Sequence, residues 1–302
     1  MLKVVGLVEN TTESPKLKCR HGLSLYIETE KHRILFDMGP NDLFLKNAKE
    51  LGVDIASIDI AVISHGHVDH CGGLKSFLKA NKTARIYLRP QALDGHYVKV
   101  LGLPFYAGMD KKLVSSISNG CVSGISNGCV SGVSNGCVFK DRFVFTEDCC
   151  IVDDEITLFS NDIRQFGLPK SDGNLLAKKD GRIVPDDFYH EQNLLISSDG
   201  SSDTKRILVC GCAHSGIVNI VNKAKEIAGA YPAVVVGGFH LYEPVSKRYE
   251  DSLYIDSVAR SLEESEASYY TCHCTGSKAF DSMQARMGDH LAYLHTGTEI
   301  LL

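Results

Sequence analysis

A chain of 302 residues with 44% hydrophobic and 23% charged residues can bury a full core, as one large domain or as one domain carrying an insertion. A formal net charge of -5 leaves no basic face for nucleic acid or anionic lipid, so a small-molecule partner is expected, with no nucleic acid and no membrane. The opening apolar run, Met1 to Val8, is too short for a signal peptide and no run reaches membrane-spanning length, which predicts a cytoplasmic protein whose 11 Cys stay reduced.

Residues 2 to 8 alternate as a strand, and Leu23–Ile27 and Arg33–Asp37 read as two strands turning at Glu30, Lys31 and His32. Asn41 or Asp42 can cap a helix in which Leu43, Phe44, Ala48 and Leu51 recur at helical spacing, with Gly52 just past its end. A buried strand, Ile58 to Ile63, leads into Ser64-His65-Gly66-His67-Val68-Asp69-His70-Cys71-Gly72-Gly73. After that turn, Leu74, Phe77 and Leu78 fit a helix and Arg85–Leu88 returns as a strand.

The pattern loosens from about residue 91 to 190. Residues 117 to 138 hold an eight-residue repeat built on Ser-Asn-Gly-Cys-Val, with Cys121, Cys129 and Cys137 at equal spacing. Asn-Gly is a strong turn signal and Cys spaced by eight lacks the CxxC pairing of zinc or iron–sulfur sites, so a turn-rich loop is expected there. Phe143–Thr146 and Ile156–Phe159 are strand-like, and a polar stretch runs from Asp162 to Phe188. The organisation expected is therefore a first half at 1–90, an insertion or substrate-covering region at 91–190, and a second half at 191–302.

In that second half, strand, His-bearing loop and helix recur three times. Arg206–Val209 leads to Gly211-Cys212-Ala213-His214-Ser215-Gly216; Ala233–Val236 leads to Gly237-Gly238-Phe239-His240; Tyr269–Thr271 leads to Cys272-His273-Cys274-Thr275-Gly276. Including the first cluster, four strand ends present histidine.

Imidazole nitrogen and carboxylate oxygen together suit zinc. In an HxHxDH loop, alternating His65 and His67 can point at one metal while Asp69 and His70 face a second, in a two-metal centre with ions about 3.5–4 Å apart. His214, His240 and His273 are the candidates for the remaining ligands.

Together with Asn10-Thr11, His21-Gly22-Leu23-Ser24, Leu35–Gly39, Asn47, Glu191-Gln192 and the three later motifs, the HxHxDH run resembles the metallo-β-lactamase superfamily. Within it, the chain is similar to the metal-dependent hydrolases that include archaeal 7,8-dihydropteroate-synthase-like proteins. The resemblance implies an α/β four-layer αββα sandwich with its metal centre at one edge, here with an inserted subdomain or long loops. It also implies that His65, His67 and His214 hold one metal and Asp69, His70 and His273 the other, two Zn²⁺ in all, with iron or manganese as alternatives. The superfamily's bridging Asp is absent after the 233–237 strand, where His240 stands instead.

These expectations converge on a metal-dependent enzyme acting on a small phosphate- or diphosphate-bearing substrate, by hydrolysis or by a dihydropteroate-synthase-like condensation. Asp69 and His240 are the candidate catalytic groups, and His21, Ser24, Glu191, Thr275 and Gly276 the candidate substrate-binding ones, the last two because a helix start can cradle an anion. The alternatives are a redox metal protein, for which Cys71, Cys212, Cys272 and Cys274 lie close in sequence to the candidate ligands, and a binding module that has lost its chemistry.

Overall fold

Side-chain alternation dictates the layers. In the strand Arg33–Phe36, Ile34 and Phe36 enter a central apolar cluster while Leu35 enters another on the opposite face. In Val234–Gly237, Val234 and Val236 join that same central cluster and Val235 turns away into a third. Successive residues of a strand face opposite sides of its sheet, so each strand is buried twice, against the other sheet and against helices. Each fully buried aliphatic side chain in these clusters contributes about 1.5–3 kcal/mol.

The chain is seen here in a computed structural model that describes residues 2–120, 140–161, 164–197 and 205–302. One seven-stranded sheet runs in space as Glu299–Leu301, Lys3–Val8, Ser24–Glu28, Arg33–Phe36, Ile60–Val62, Arg85–Leu88 and Phe143–Phe145. The other runs as Leu291–Tyr293, Ser268–Thr271, Val234–Gly237, Arg206–Val209, Asn193–Ser197, Ile156–Phe159 and Cys149–Ile151. Helices Leu43–Glu50 and Leu74–Ala80 cover the first, through Phe44, Ala48, Leu74 and Phe77. Helices Ile217–Ala228, Ser252–Glu263 and Ser277–Met287 cover the second, through Ile220, Val258 and Met283. The result is the helix–sheet–sheet–helix sandwich that the resemblance implies.

Both sheets have a parallel half. Arg33–Phe36, Ile60–Val62 and Arg85–Leu88 run in one direction, as do Arg206–Val209, Val234–Gly237 and Ser268–Thr271. The loops that follow these strands carry Asp37, the His65–His70 run, Cys212 and His214, His240, and His273. Open α/β sheets gather functional groups at the carboxyl ends of their parallel strands.

The stretch 91–190 is divided differently from the single cover expected. Phe143–Phe145 forms the edge of the first sheet, while Cys149–Ile151 and Ile156–Phe159 belong to the second, so these strands are part of the sandwich itself. A separate antiparallel sheet is built by Arg182–Pro185, Leu175–Lys179, His96–Val100 and Leu103–Tyr106. The first four residues of the repeat, Ile117 to Gly120, end a helix that begins at Lys111 and whose Ile117 is buried in the first cluster. The rest of the repeat, including Cys121, Cys129 and Cys137, lies outside the described residues. Among the described residues no helix is long and apolar enough to cross a membrane.

Candidate metal centre

The HxHxDH loop leaves the strand Ile60–Val62 and enters a short helical turn at Val68–Cys71. His65 and His70 are fully buried and His67 nearly so. The loop after Arg206–Val209 meets them face on. There, Cβ on Gly211 would stand 2.3 Å from Ser64 Oγ, so only glycine lets the two loops touch. Rings of His65 and His214 are 4.9 Å apart, those of His67 and His214 5.2 Å, and those of His70 and His273 5.0 Å.

Hydrogen bonds fix which nitrogen of each ring faces inward. Ser64 Oγ lies 2.8 Å from His65 Nδ1, Asp37 Oδ2 2.6 Å from His70 Nδ1, Asp172 Oδ1 2.6 Å from His214 Nδ1 and Asn10 Oδ1 2.9 Å from His273 Nδ1. Four rings thus have Nδ1 held by protein and Nε2 turned toward the other histidines, the arrangement that orients metal-binding imidazoles. Asp186 lies 3.8 Å from His67 Nε2, beyond hydrogen-bond range, and is itself bracketed by His96 and His190 at 3.1 Å each.

Three ring nitrogens, His65 Nε2, His67 Nε2 and His214 Nε2, are buried without a hydrogen-bond partner. Buried polar atoms are rarely left so. These three residues form one group whose ligand atoms all lie within 4.8 Å of one another. On the other side, His273 Nε2 is 3.2 Å from both His70 Nε2 and Asp69 Oδ2. Both groups have the donors and spacing to hold a metal ion.

Electrostatics suit the same use. Burial, with the neighbouring imidazoles, holds His65 and His214 well below the ordinary histidine range, and burial lowers His67 and His273 as well. Neutral imidazole is the form that binds metal. Burial would raise the Asp69 carboxyl, but His70, His21 and His273 outweigh it and hold the group well below its usual range. Burial likewise opposes charge on His70, yet the Asp37 and Asp69 carboxylates carry it to about 9.

Of the expected substrate-binding residues, His21 alone reaches the mouth of the site. Its side chain is 44% exposed and its Nε2 is 3.2 Å from Asp69 Oδ2. Ser24 is fully buried and donates to Asp37 O. Glu191 accepts the backbone N–H groups of His214 and Ser215 at 2.7 and 2.9 Å. Thr275 accepts the N–H of Phe239 and contacts the hydroxyl of Thr271. Gly276, at φ 73, starts a helix where a Cβ would stand 2.8 Å from Tyr242 and Tyr249. These four shape the loops that carry the histidines.

His240 is buried with neither ring nitrogen hydrogen-bonded, its ring 4.3 Å from that of His214 and its Nε2 3.0 Å from Asp172 Oδ1. Burial lowers it, but Asp172, Cys274 and Glu191 together offset this and raise it to about 9. Asp37, Ala213, His240 and His273 all adopt left-handed backbone, with φ of 57, 58, 46 and 53. Such conformations cost about 1–3 kcal/mol each and cluster where function requires them.

Sequence reasoning missed Asp37 as a histidine partner, and also Asp172, Asp186, His96 and His190. Asp37 lay inside a quoted motif, immediately after an apolar strand, which was its one signal. Asp172 stands on the short turn Lys170–Asn174 in a stretch whose composition spoke only of loop.

Comparison with known proteins agrees with this geometry. The family model described as the metallo-β-lactamase superfamily matches residues 17–117. An uncharacterised protein of Methanocaldococcus jannaschii is 27% identical over 301 residues, 98% of each chain. From the same organism, 7,8-dihydropterin-6-methyl-4-(β-D-ribofuranosyl)-aminobenzene-5'-phosphate synthase is 29% identical over 286 residues, covering 92% of this chain and 88% of that protein. The crystal structure of Tm1679, a metal-dependent hydrolase of the β-lactamase superfamily, superposes with a TM-score of 0.76 at 25% identity, covering 100% of this chain and 99% of that one. Sequence motif, layer order and the histidine-lined strand ends coincide: the chain resembles the metallo-β-lactamase superfamily, by the family model over residues 17–117 and in its fold along its whole length.

Proposed function

We propose that this chain is a metal-dependent enzyme that acts on a small phosphate- or diphosphate-bearing molecule, with His65, His67 and His214 holding one metal and Asp69, His70 and His273 a second. The observation that carries this reading is the convergence of three buried, partnerless ring nitrogens on one point beside a second cluster of donors. Zinc fits the nitrogen and oxygen donors best.

Metal held there would supply a Lewis acid for a phosphoryl or carbonyl oxygen and ease the deprotonation of water. The chain's own residues do the rest. Asp69, kept ionised, stands between His273 and the exposed His21 and can take a proton from an attacking hydroxyl or amine and pass it to the mouth. His240, its Nε2 3.0 Å from Asp172 Oδ1, stands on the rim of the histidine cluster and orients an anionic group of the substrate. Asp37, Asp172, Ser64 and Asn10 hold the rings in place.

Hydrolysis is the primary reading, and the name of the Tm1679 structure supports it. A condensation is the second, favoured by the name of the synthase that is 29% identical. Zinc-loaded protein is to be screened against phosphomonoesters, phosphodiesters and a pterin diphosphate with 4-aminobenzoate. Turnover that depends on metal and vanishes in His214→Ala bears the proposal out. No turnover of any of these by protein holding two zinc ions removes it.

A further inference from the structure

Cys212 sits where the two halves of the site meet. Its Sγ lies 3.1 Å from His70 Nε2, and it is 3% exposed. It shares one tight group of ligand atoms with His65 and His70, another with His214 and His240, and a third with His273 and Cys274, each group lying within 4.8 Å. The sulfur therefore borders both metal positions.

Spacing distinguishes a ligand from a neighbour. Four donors around a tetrahedral zinc, with Zn–N of about 2.0–2.1 Å and Zn–S of about 2.3 Å, stand roughly 3.3–3.6 Å apart. In this structure His70 Nε2 is 3.1 Å from Cys212 Sγ, 3.2 Å from His273 Nε2 and 3.7 Å from Asp69 Oδ2, and the last two are 3.2 Å from each other. His70 thus already has Asp69, His273 and Cys212 around it at nearly the spacing of a four-coordinate cage, and Cys212 and His273 share one group within 4.8 Å.

The chain delivers this thiol by a route of its own. The strand Val234–Gly237 ends without a carboxylate, so nothing there can link the two positions. The neighbouring strand Arg206–Val209 supplies the donor instead. Gly211 packs its backbone against Ser64, and Ala213, at φ 58, reverses the chain so that Cys212 and His214 serve the same group of ligand atoms. Cys274, in the group with Cys212 and His273, has its Sγ accepting the His240 N–H at 3.3 Å.

We propose that Cys212 is the thiolate ligand that completes the second metal position and joins it to the first, in the place where the superfamily's bridging carboxylate is missing. The inference rests on the metal-binding reading above. Binding breaks the S–H bond and forms a sulfur–metal bond, the sulfur keeping the electron pair, and the proton passes to solvent. A thiolate in that place favours zinc, cobalt or iron over magnesium and manganese, which prefer oxygen donors.

The test uses the full chain, stripped by chelation and titrated with Co²⁺, as wild type, Cys212→Ser, Cys212→Asp and Cys274→Ser, each checked for its fold by near-ultraviolet circular dichroism. Wild type is expected to bind two ions and to show a sulfur-to-cobalt charge-transfer band. Cys212→Ser should lose the band and bind the second ion more than about tenfold more weakly, while keeping the first. Cys212→Asp should recover the second ion without the band, and decides the matter if the serine variant fails to fold. Cys274→Ser should keep both ions and the band. Two ions bound by wild type without the band, or the band surviving in Cys212→Ser or Cys212→Asp, overturns the role of Cys212 and leaves the metal site standing. Wild type that binds no cobalt overturns the metal site itself.

Discussion

Asp37 Oδ2 lies 2.6 Å from His70 Nδ1, both side chains fully buried, and the same carboxyl group accepts the N–H and hydroxyl of Ser64 at 2.7 and 2.6 Å. One residue therefore fixes two imidazoles, His70 directly and His65 through Ser64 Oγ. Asp37→Asn keeps the size and removes the charge. It is expected to weaken metal binding by about 10–100-fold, read by competition with a chelator. It should also cost about 1–3 kcal/mol in urea unfolding, because one buried donor loses its acceptor. Metal affinity equal to wild type would reduce Asp37 to a packing residue.

Removing a ring that contributes a partnerless nitrogen is a sharper change. His67→Ala is expected to lower the metal content of purified protein from two equivalents toward one, measured by elemental analysis. The loaded protein should melt higher than the chelated one, since a ligand at 100 times its Kd adds about 2.7 kcal/mol. Unchanged stoichiometry in His67→Ala would take that residue out of the site.

Asp172 reaches the centre from outside the strand ends. Its Oδ1 holds His214 Nδ1 at 2.6 Å and contacts His240 at 3.0 Å, while its Oδ2 is buried without a partner. Asp172→Ala is expected to weaken metal binding about tenfold or more, because His214 loses the group that orients its ring, and to raise KM for an anionic substrate, because His240 loses its neighbour. If only stability falls, with metal affinity and KM at wild-type values, the carboxylate merely ties its turn to the sandwich.

How much of this was legible in the sequence depends on how far apart the partners lie. His65, His67, Asp69 and His70 declare themselves because six residues hold all four, and His214, His240 and His273 because each follows an apolar strand. Individual strands were readable from their own apolar runs, while the four-layer sandwich came from the resemblance that the motifs carry. Asp37 meets His70 across 33 residues because Arg33–Phe36 pairs in parallel with Ile60–Val62. Asp172 meets His214 across 42 residues from a turn with no periodicity. Contacts of that kind are set by sheet order and loop path, which local pattern does not encode. The same holds for Glu191 and Thr275, whose residue types suit a substrate site and whose positions instead satisfy backbone N–H groups.

Glu191 offers a direct check on that reassignment. Its two oxygens take the N–H groups of His214 and Ser215, and it is 2% exposed. Glu191→Ala strips the acceptor from two buried donors and is expected to destabilise folding by about 2–6 kcal/mol, at about 1–3 kcal/mol for each. Glu191→Gln should cost less, since one amide oxygen can still accept. A raised KM with unchanged unfolding in urea would return Glu191 to the substrate.

His32 makes a pH-dependent clamp far from the metal centre. Its Nδ1 is 2.7 Å from Asp59 Oδ2 and its Nε2 2.6 Å from Asp153 Oδ2, so the turn in the first sheet is tied to the loop before Ile156–Phe159 in the second. Burial lowers its pKa, but the two carboxylates outweigh burial and raise it above 6.5. Only the protonated ring can donate to both. Its contribution is therefore complete below pH 6.5, the ordinary value, and fades as pH rises through the raised one. The buried neutral histidines of the metal centre have the opposite sign in stripped protein, losing stability as pH falls. The difference between wild type and His32→Gln cancels their part. Melting of both across the pH range is expected to show the gap widest at acid pH and closing toward alkaline pH. A gap that stayed constant, or widened with pH, would mean that His32 works by packing rather than by charge.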